Sequence, residues 1–229
     1  MMLKFRHNLH FLSEKGLFFG KPVSSGLRAE IRNWLMSGQI DVPLTLLELL
    51  LNETGLDAGQ LFRGDLDCLH EELIKIKLIV FDVDGVMTDA GMYYTESGDE
   101  MKKFNARDGI AIKRLHEAGF ITAVISHGIN KNLIERRCKL LGISRFYAGD
   151  RPKIEVLTEW CSESGLSLSE TAFIGDDVND LSLISEVGFS ACPADAVTAV
   201  RVRCDLVLDS KGGQGAIREW VERCFVHIN

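Results

Sequence analysis

From residue 75 to the end, the chain repeats a pattern that few folds accommodate. A short apolar run ends in an acidic, hydroxyl or small residue, and a helix-length segment closed by glycine follows. Residues 76–81 form the first run, β-branched in bias and ending at Asp82. Residues 121–125 form the second, ending at Ser126, and 146–147 a brief third. Residues 171–174 form a fourth, ending at Gly175-Asp176; further runs lie near 189–191 and 206–208. Between them the spacing predicts helices over about 108–118, 130–141, 151–164, 178–186, 194–202 and 215–224. Continuous apolar strands alternating with helices imply a parallel sheet covered on both faces, an α/β fold of the Rossmann-like doubly wound kind. Residues 92–104 break the rhythm. Tyr93-Tyr94-Thr95, Ser97-Gly98 and Met101 to Phe104 read as an inserted β-hairpin.

Upstream the pattern is helical throughout. Phe5, Leu9 and Leu12 fall at helical spacing before Gly16. Leu27, Ile31, Trp34 and Leu35 do so before Ser37-Gly38, Pro43 can open a helix over 44–51, and Asp57 can cap one reaching Phe62. Two domains are therefore expected, a small all-helical one over 1–70 and the α/β one over 75–229. Composition excludes a disordered, fibrous or low-complexity chain: of 229 residues, 46% are hydrophobic, 26% charged and only 4 are Pro. The net charge of −7 argues against a coat for nucleic acid. It is unevenly spread, with six basic and two acidic groups in residues 1–40 against 20 and 31 in the remainder. No apolar run approaches the length of a membrane span, and no signal peptide is expected. The cysteines, at 68, 138, 161, 192, 204 and 224, form no C-x-x-C or zinc spacing and read as buried small hydrophobes in a reducing, cytoplasmic compartment.

In an open α/β sheet, ligands bind beyond the carboxyl ends of the strands. Asp82 and Asp84 follow the first strand, Ser126 ends the second, and Asp176, Asp177 and Asp180 follow the fourth. Lys153 opens the helix after the third. Aspartate is a poor strand residue, and clustered carboxylates raise one another's pKa unless a cation holds them. Their convergence implies a hard divalent ion with oxygen ligands, most simply Mg²⁺, which ordinarily shares its site with substrate phosphate. The set then suits phosphoryl transfer through an aspartyl-phosphate. Asp82 would be the nucleophile, Asp84 the proton donor to the leaving oxygen, Lys153 the charge-neutralising cation and Ser126 a hydroxyl donor.

These residues carry a resemblance. Phe81-Asp82-Val83-Asp84-Gly85-Val86-Met87-Thr88-Asp89 resembles the first motif of the haloacid dehalogenase-like phosphatases. Val124-Ile125-Ser126 is similar to their second motif, Lys153 to their third, and Gly175-Asp176-Asp177-Val178-Asn179-Asp180 to their fourth. Thr88-Asp89, Tyr93-Tyr94, Gly98, Lys102, Phe104-Asn105 and Arg107-Asp108-Gly109 resemble the phosphatases of 3-deoxy-octulosonate 8-phosphate and nonulosonate 9-phosphate. So does the tail Gly212-Gly213-Gln214-Gly215-Ala216-Ile217-Arg218-Glu219. The resemblance spans about 75–226. It implies a fold without a large cap, a homotetramer joined through the hairpins, and a phosphorylated sugar-acid substrate. It implies Mg²⁺ on Asp82, the Asp84 carbonyl and Asp176, with Asp177 and Asp180 in support. Candidate substrate contacts are Lys102, Arg107, His127, Gly213 and Arg218. One departure is that His127-Gly128 follows Ser126, where the family usually has an arginine.

Residues 5–66 resemble a degenerate Cro-like helix-turn-helix domain through Lys15-Gly16-Leu17, Ile31-Arg32-Asn33-Trp34, Ser37-Gly38 and Pro43-Leu44. Gly20 and Pro22 fall where its second helix belongs. A recognition helix around 25–36 would expose Arg28, Arg32 and Asn33. DNA binding and a protein-interaction role compete, and the acidic body favours the interaction role. For the whole chain the alternative to an enzyme is a regulatory or scaffold protein sensing a sugar phosphate.

Overall fold

The computed structural model describes residues 2–15, 17–18, 21–39, 41–54, 61, 73–128 and 130–225. The chain forms two compact units, residues 1–71 and 72–227. The first holds α1 (Met2–Lys15), β1 (Leu17–Phe18), β2 (Lys21–Pro22), α2 (Ser25–Ser37) and α3 (Leu44–Thr54). Its helical spacings converge on one core of Phe5, Leu9, Leu12, Leu27, Ile31, Trp34, Leu46 and Leu50. Phe5 meets Trp34 edge to face at 5.8 Å. Ser24 caps α2 by accepting the Leu27 N–H at 3.1 Å, and Gly38, at φ 70°, ends it.

The all-helical expectation fails at Leu17–Phe18 and Lys21–Pro22, which pair as antiparallel strands with Leu17 opposite Pro22. A proline carries no N–H for a helix ladder, so the supporting helix of the helix-turn-helix pattern has no place to form there. Arg28 also departs from expectation. It is half-buried, and its guanidinium donates to the Ser13 and Glu14 carbonyls at the end of α1, whereas Arg32 and Asn33 are exposed. The helix expected near 57–62 lies outside the described residues but for Leu61.

In the second unit the strands are β3 (Leu78–Phe81), β6 (Ile121–Ser126), β7 (Arg145–Ala148), β8 (Thr171–Ile174), β9 (Phe189–Cys192) and β10 (Leu206–Val207), with the hairpin β4 (Tyr93–Tyr94) and β5 (Glu100–Met101) between β3 and β6. The helices are α4 (Ala106–Glu117), α5 (Lys131–Leu141), α6 (Lys153–Ser164), α7 (Leu181–Ile184), α8 (Thr198–Arg201) and α9 (Ala216–Cys224). The six strands are parallel in the order β10-β9-β8-β3-β6-β7. That is the doubly wound order, and its direction of winding reverses at β3. Alternate residues of β3 face opposite layers. Leu78 and Val80 join Val156, Leu157, Phe173 and Leu183 in one core, while Phe81 meets Trp220 of α9 edge to face at 6.1 Å.

Two expected helices shorten. Over 194–202 only α8 is helical, because preceding amides are engaged elsewhere: Ala194 N–H donates to the Ser210 carbonyl and Val197 N–H to that of Asp176. Over 178–186, a tight turn (Val178–Asp180) precedes the short α7.

The first turn of α9 is held across the chain by Asp108 of α4, which accepts the Arg218 N–H at 2.8 Å. Asp108 is buried, and its second oxygen has no hydrogen-bond partner. Burial pushes its carboxyl from 3.8 up to about 6, against the opposing amides and the Arg137 charge. A raised acid favours folding fully below its unfolded pKa, and that stability is lost as pH rises through the folded value. Between pH 4 and 7 the wild type should therefore lose about 3 kcal/mol relative to Asp108→Asn. Urea unfolding at each pH reads this, and parallel curves would place the titration elsewhere.

Candidate active site

The winding reversal at β3 leaves a crevice at the carboxyl ends of β3, β6 and β8, and the polar residues fall there. Asp82 continues β3, its N–H donating to the Ile174 carbonyl of β8 at 3.0 Å. Its Oδ1 accepts the Val83 N–H at 2.7 Å and lies 2.9 Å from Lys153 Nζ. Burial pushes the Asp82 carboxyl well above the usual range, against the Lys153 charge. Lys153 is itself buried at the start of α6. Its Nζ reaches Asp180 Oδ1 at 2.6 Å as well, and these two carboxylates hold its pKa up against the downward pull of burial.

After Asp82 the backbone makes a wide turn over Val83–Met87, closed by the Thr88 N–H on the Val83 carbonyl at 3.0 Å. Gly85 sits in it at φ 84°, and a Cβ there would stand 1.9 Å from Asp176 Oδ2. A left-handed backbone and a carboxylate at van der Waals range both demand glycine. The tail segment closes on the same turn. Gly213 N–H donates to the Val86 carbonyl, and a Cβ on Gly212 would meet the Gly85 carbonyl oxygen at 2.0 Å.

Asp176 and Asp180 come from the turn after β8. Asp180 is fully buried and saturated. Oδ1 takes Lys153, and Oδ2 takes the N–H groups of Asp176 at 2.9 Å and Asp177 at 3.3 Å. Asp177 is exposed and caps the turn through the Val178 N–H. Asp176 makes no ion pair among the described residues. Burial, then repulsion from Asp180 and Asp177, raise its carboxyl to about 7. Oxygens of Asp82, Asp176 and Asp180 lie within 4.8 Å of one another. Because both oxygens of Asp180 are taken, the open positions for a cation are on Asp82 and Asp176.

A cavity of about 360 Å³ opens on this cluster. Asp82, Asp84, Ser126, His127, Asp176, Asp177 and Lys102 line it, with Ala90, Met92, Tyr94, Glu100, Gly128 and Asn179. Ser126 is buried and its Oγ accepts the Gly128 N–H at 2.9 Å. The expected substrate contacts divide. Lys102 reaches the cavity but is pinned between Asp84 Oδ1 at 2.5 Å and Glu100 Oε1 at 2.9 Å. His127 reaches it with both ring nitrogens engaged. Nδ1 faces Asn179 Nδ2 at 3.0 Å and Nε2 faces the Arg151 carbonyl at 3.1 Å, so Nδ1 is the acceptor and Nε2–H the donor. Arg107, Gly213 and Arg218 do not line the cavity: Arg107 is exposed, Gly213 packs under the turn, and Arg218 pairs with Glu222. Sequence reasoning did not single out Glu100 or Asn179. Each matters only through a residue it holds, and that partnership has no signature in spacing.

A carboxylate pair after the central strand, a hydroxyl after its neighbour, a buried lysine and an acidic turn define a haloacid dehalogenase-like hydrolase. A model of the haloacid dehalogenase-like hydrolase family matches residues 142–219. The chain is 38% identical over 151 residues to the 3-deoxy-D-manno-octulosonate 8-phosphate phosphatase KdsC of Haemophilus influenzae, covering 66% of this chain and 83% of that one. Among solved structures it resembles a probable YrbI family phosphatase of Pseudomonas syringae pv. phaseolica, at 40% identity and a TM-score of 0.66, over 69% of this chain and 89% of that one. It also resembles the octulosonate 8-phosphate phosphatase of Moraxella catarrhalis in complex with magnesium, phosphate and KDO. That match has 33% identity and a TM-score of 0.65, over 67% and 87% of the two chains. The chain belongs to the 3-deoxy-D-manno-octulosonate 8-phosphate phosphatase group of this family and is a phosphoric monoester hydrolase.

Gly85→Ala should lower phosphate-ester hydrolysis by about 10²-fold, since displacing a reacting group by about 1 Å has that effect. Turnover is read beside far-ultraviolet circular dichroism. Full turnover with an intact sheet would mean that the turn absorbs the added carbon.

Proposed function

We propose that the protein hydrolyses 3-deoxy-D-manno-octulosonate 8-phosphate to the free sugar acid and phosphate through an aspartyl-phosphate on Asp82. The observation that carries this is the meeting of Asp82, Asp84, Ser126 and Asp176 around one cavity, with Lys153 buried against Asp82, in a member of this phosphatase group. The activity borne by the relative at 38% identity supports octulosonate over nonulosonate as substrate. The unreplaced nucleophile and acid support an enzyme over a sugar-phosphate sensor.

Oδ1 of Asp82 is held by the Val83 amide and Lys153, so Oδ2 is the oxygen assigned to attack phosphorus. Lys153 opposes the rise that burial imposes on that carboxyl, and its charge serves to neutralise that of the transferring group. Asp84, in the cavity wall, gives its proton to the sugar oxygen as the P–O bond breaks. It then takes one from the water that attacks the aspartyl-phosphate, releasing phosphate and restoring Asp82. Ser126 donates its hydroxyl to a phosphoryl oxygen. The residues present fit Mg²⁺: the Asp176 carboxyl, raised to about 7 by burial and like charge and without an ion-pair partner among the described residues, lies beside that of Asp82. Asp82, Asp176 and the Asp84 carbonyl would hold the ion, with Asp177 and Asp180 bracing the turn. When bound, Mg²⁺ supplies positive charge against the phosphoryl oxygens.

A homotetramer joined through the β4–β5 hairpins agrees with the exposure of Met92, Tyr93, Tyr94 and Met101 on that hairpin. For residues 1–70 a protein-interaction role is favoured over DNA binding, because Arg28 is engaged within the unit itself. No described helix is long and apolar enough to cross a membrane, and the cysteine pattern supports a cytoplasmic setting.

Asp82→Asn should lower phosphate release from the octulosonate 8-phosphate at least about 10³-fold, because the nucleophile is lost. Retained turnover would sink the nucleophile assignment. Chelation should abolish wild-type activity and Mg²⁺ restore it. In a panel of sugar phosphates, a higher kcat/KM for a nonulosonate 9-phosphate would overturn the substrate.

A further inference from the structure

Two cysteines that the hydrolytic chemistry does not use lie against each other. Cys192 ends β9, Cys204 lies between α8 and β10, and their Sγ atoms are 3.1 Å apart across twelve residues of sequence. We infer that Cys192 and Cys204 form a redox modification site, joined reversibly as an intrachain disulfide by an oxidant of the peroxide class.

The geometry supports closure with little motion. A disulfide bond is about 2.0 Å long, so the two sulfurs need approach by only about 1 Å, within the reach of small side-chain rotations. Both are carried on fixed backbone. Strand β9 pairs with β8 on one side and β10 on the other, and the Cys192 carbonyl accepts the Leu208 N–H at 2.9 Å. The Cys204 N–H is held by the Val200 carbonyl at 3.0 Å. Access is asymmetric: Cys192 is fully buried, whereas Cys204 is partly exposed. Cys138, Cys161 and Cys224 are buried.

The chemistry follows from that asymmetry. The Cys204 sulfur attacks a peroxide oxygen, the O–O bond breaks, and Cys204 becomes a sulfenic acid as one water leaves. The Cys192 sulfur then attacks the Cys204 sulfur. The S–O bond breaks, the Cys192 proton leaves with the hydroxyl as a second water, and the S–S bond forms. Two thiols are oxidised by two electrons and one peroxide is reduced to two waters. Contact with Cys204 and burial push the Cys192 thiol up, which makes it the resolving rather than the attacking partner. A dithiol reductant reverses the bridge.

The segment enclosed by the bridge also braces the active site. Val197 N–H donates to the Asp176 carbonyl at 2.9 Å, and Asp195 Oδ1 accepts the Gly212 N–H at 2.9 Å. Oxidation thus clips a covalent ring around the strut that supports Asp176 and the tail glycines.

The test treats the reduced full chain with a small excess of hydrogen peroxide, blocks remaining thiols with iodoacetamide, and maps peptides by mass. Expected are a Cys192–Cys204 linked peptide, loss of two of the six thiols, and recovery of both with dithiothreitol. Cys204→Ser should fold as the wild type does and keep Cys192 unoxidised under the same treatment. Recovery of Cys204 as a sulfinic acid beside an alkylated Cys192 would overturn the inference. So would a link from either cysteine to another thiol, or oxidation of Cys192 in Cys204→Ser at the wild-type rate.

Discussion

A single buried ammonium organises the catalytic unit. Lys153 lies between Asp82 and Asp180 with almost no solvent access. An isolated charge in such a place is strongly disfavoured, and removing one partner of a buried pair typically costs 3–5 kcal/mol. The lysine therefore fixes three separate stretches of chain: the end of β3, the start of α6 and the turn after β8. Asp180 extends the constraint, because its other oxygen gathers the amides of Asp176 and Asp177. One cation thus sets the orientation of the Asp82 carboxylate and the shape of the loop opposite.

The remaining charges show how the site is divided. Asp84 is matched by Lys102, and Lys102 is shared with Glu100. Asp180 is matched by Lys153. Asp176 makes no ion pair among the described residues; burial and the repulsion of Asp180 and Asp177 raise its carboxyl, and the Lys153 charge opposes them only in part. The imbalance falls on the side of the crevice where Gly85 removes all side-chain bulk. Space and negative charge coincide there, which is what a small hard cation and a phosphate require together.

The alternation of apolar runs and helices was readable because the central strands β3, β8 and β9 are buried along their whole length and so carry few polar residues. The strand ends were readable for the converse reason: Asp82, Ser126 and Asp176 interrupt apolar runs where no packing argument wants them. Strand order was not, since β3 pairs equally well in composition with any apolar neighbour. The extent of α8 was misjudged because the amides of Ala194 and Val197 are used in tertiary bonds that no local pattern encodes. The β1–β2 strand pair hid behind helical spacing on either side, although Pro22 marked the break. Arg107 and Arg218 stood out as charges in a shared motif, yet their side chains lie away from the cavity; placement by motif gives a residue's neighbourhood, not its direction.

The central strand has a consequence for assembly in time. Leu78 of β3 pairs with Ile121 on one side and with Thr171 on the other, 43 and 93 residues along the chain. Closing the second of these loops is a late, entropically demanding event compared with local helix formation. Asp82 can be in place with the first half of the sheet, but Asp180 and Asp176 arrive only with β8. The carboxylates are thus brought together only once the long loop has closed around the lysine that separates them, and under the proposed mechanism a nascent chain would be catalytically silent until then.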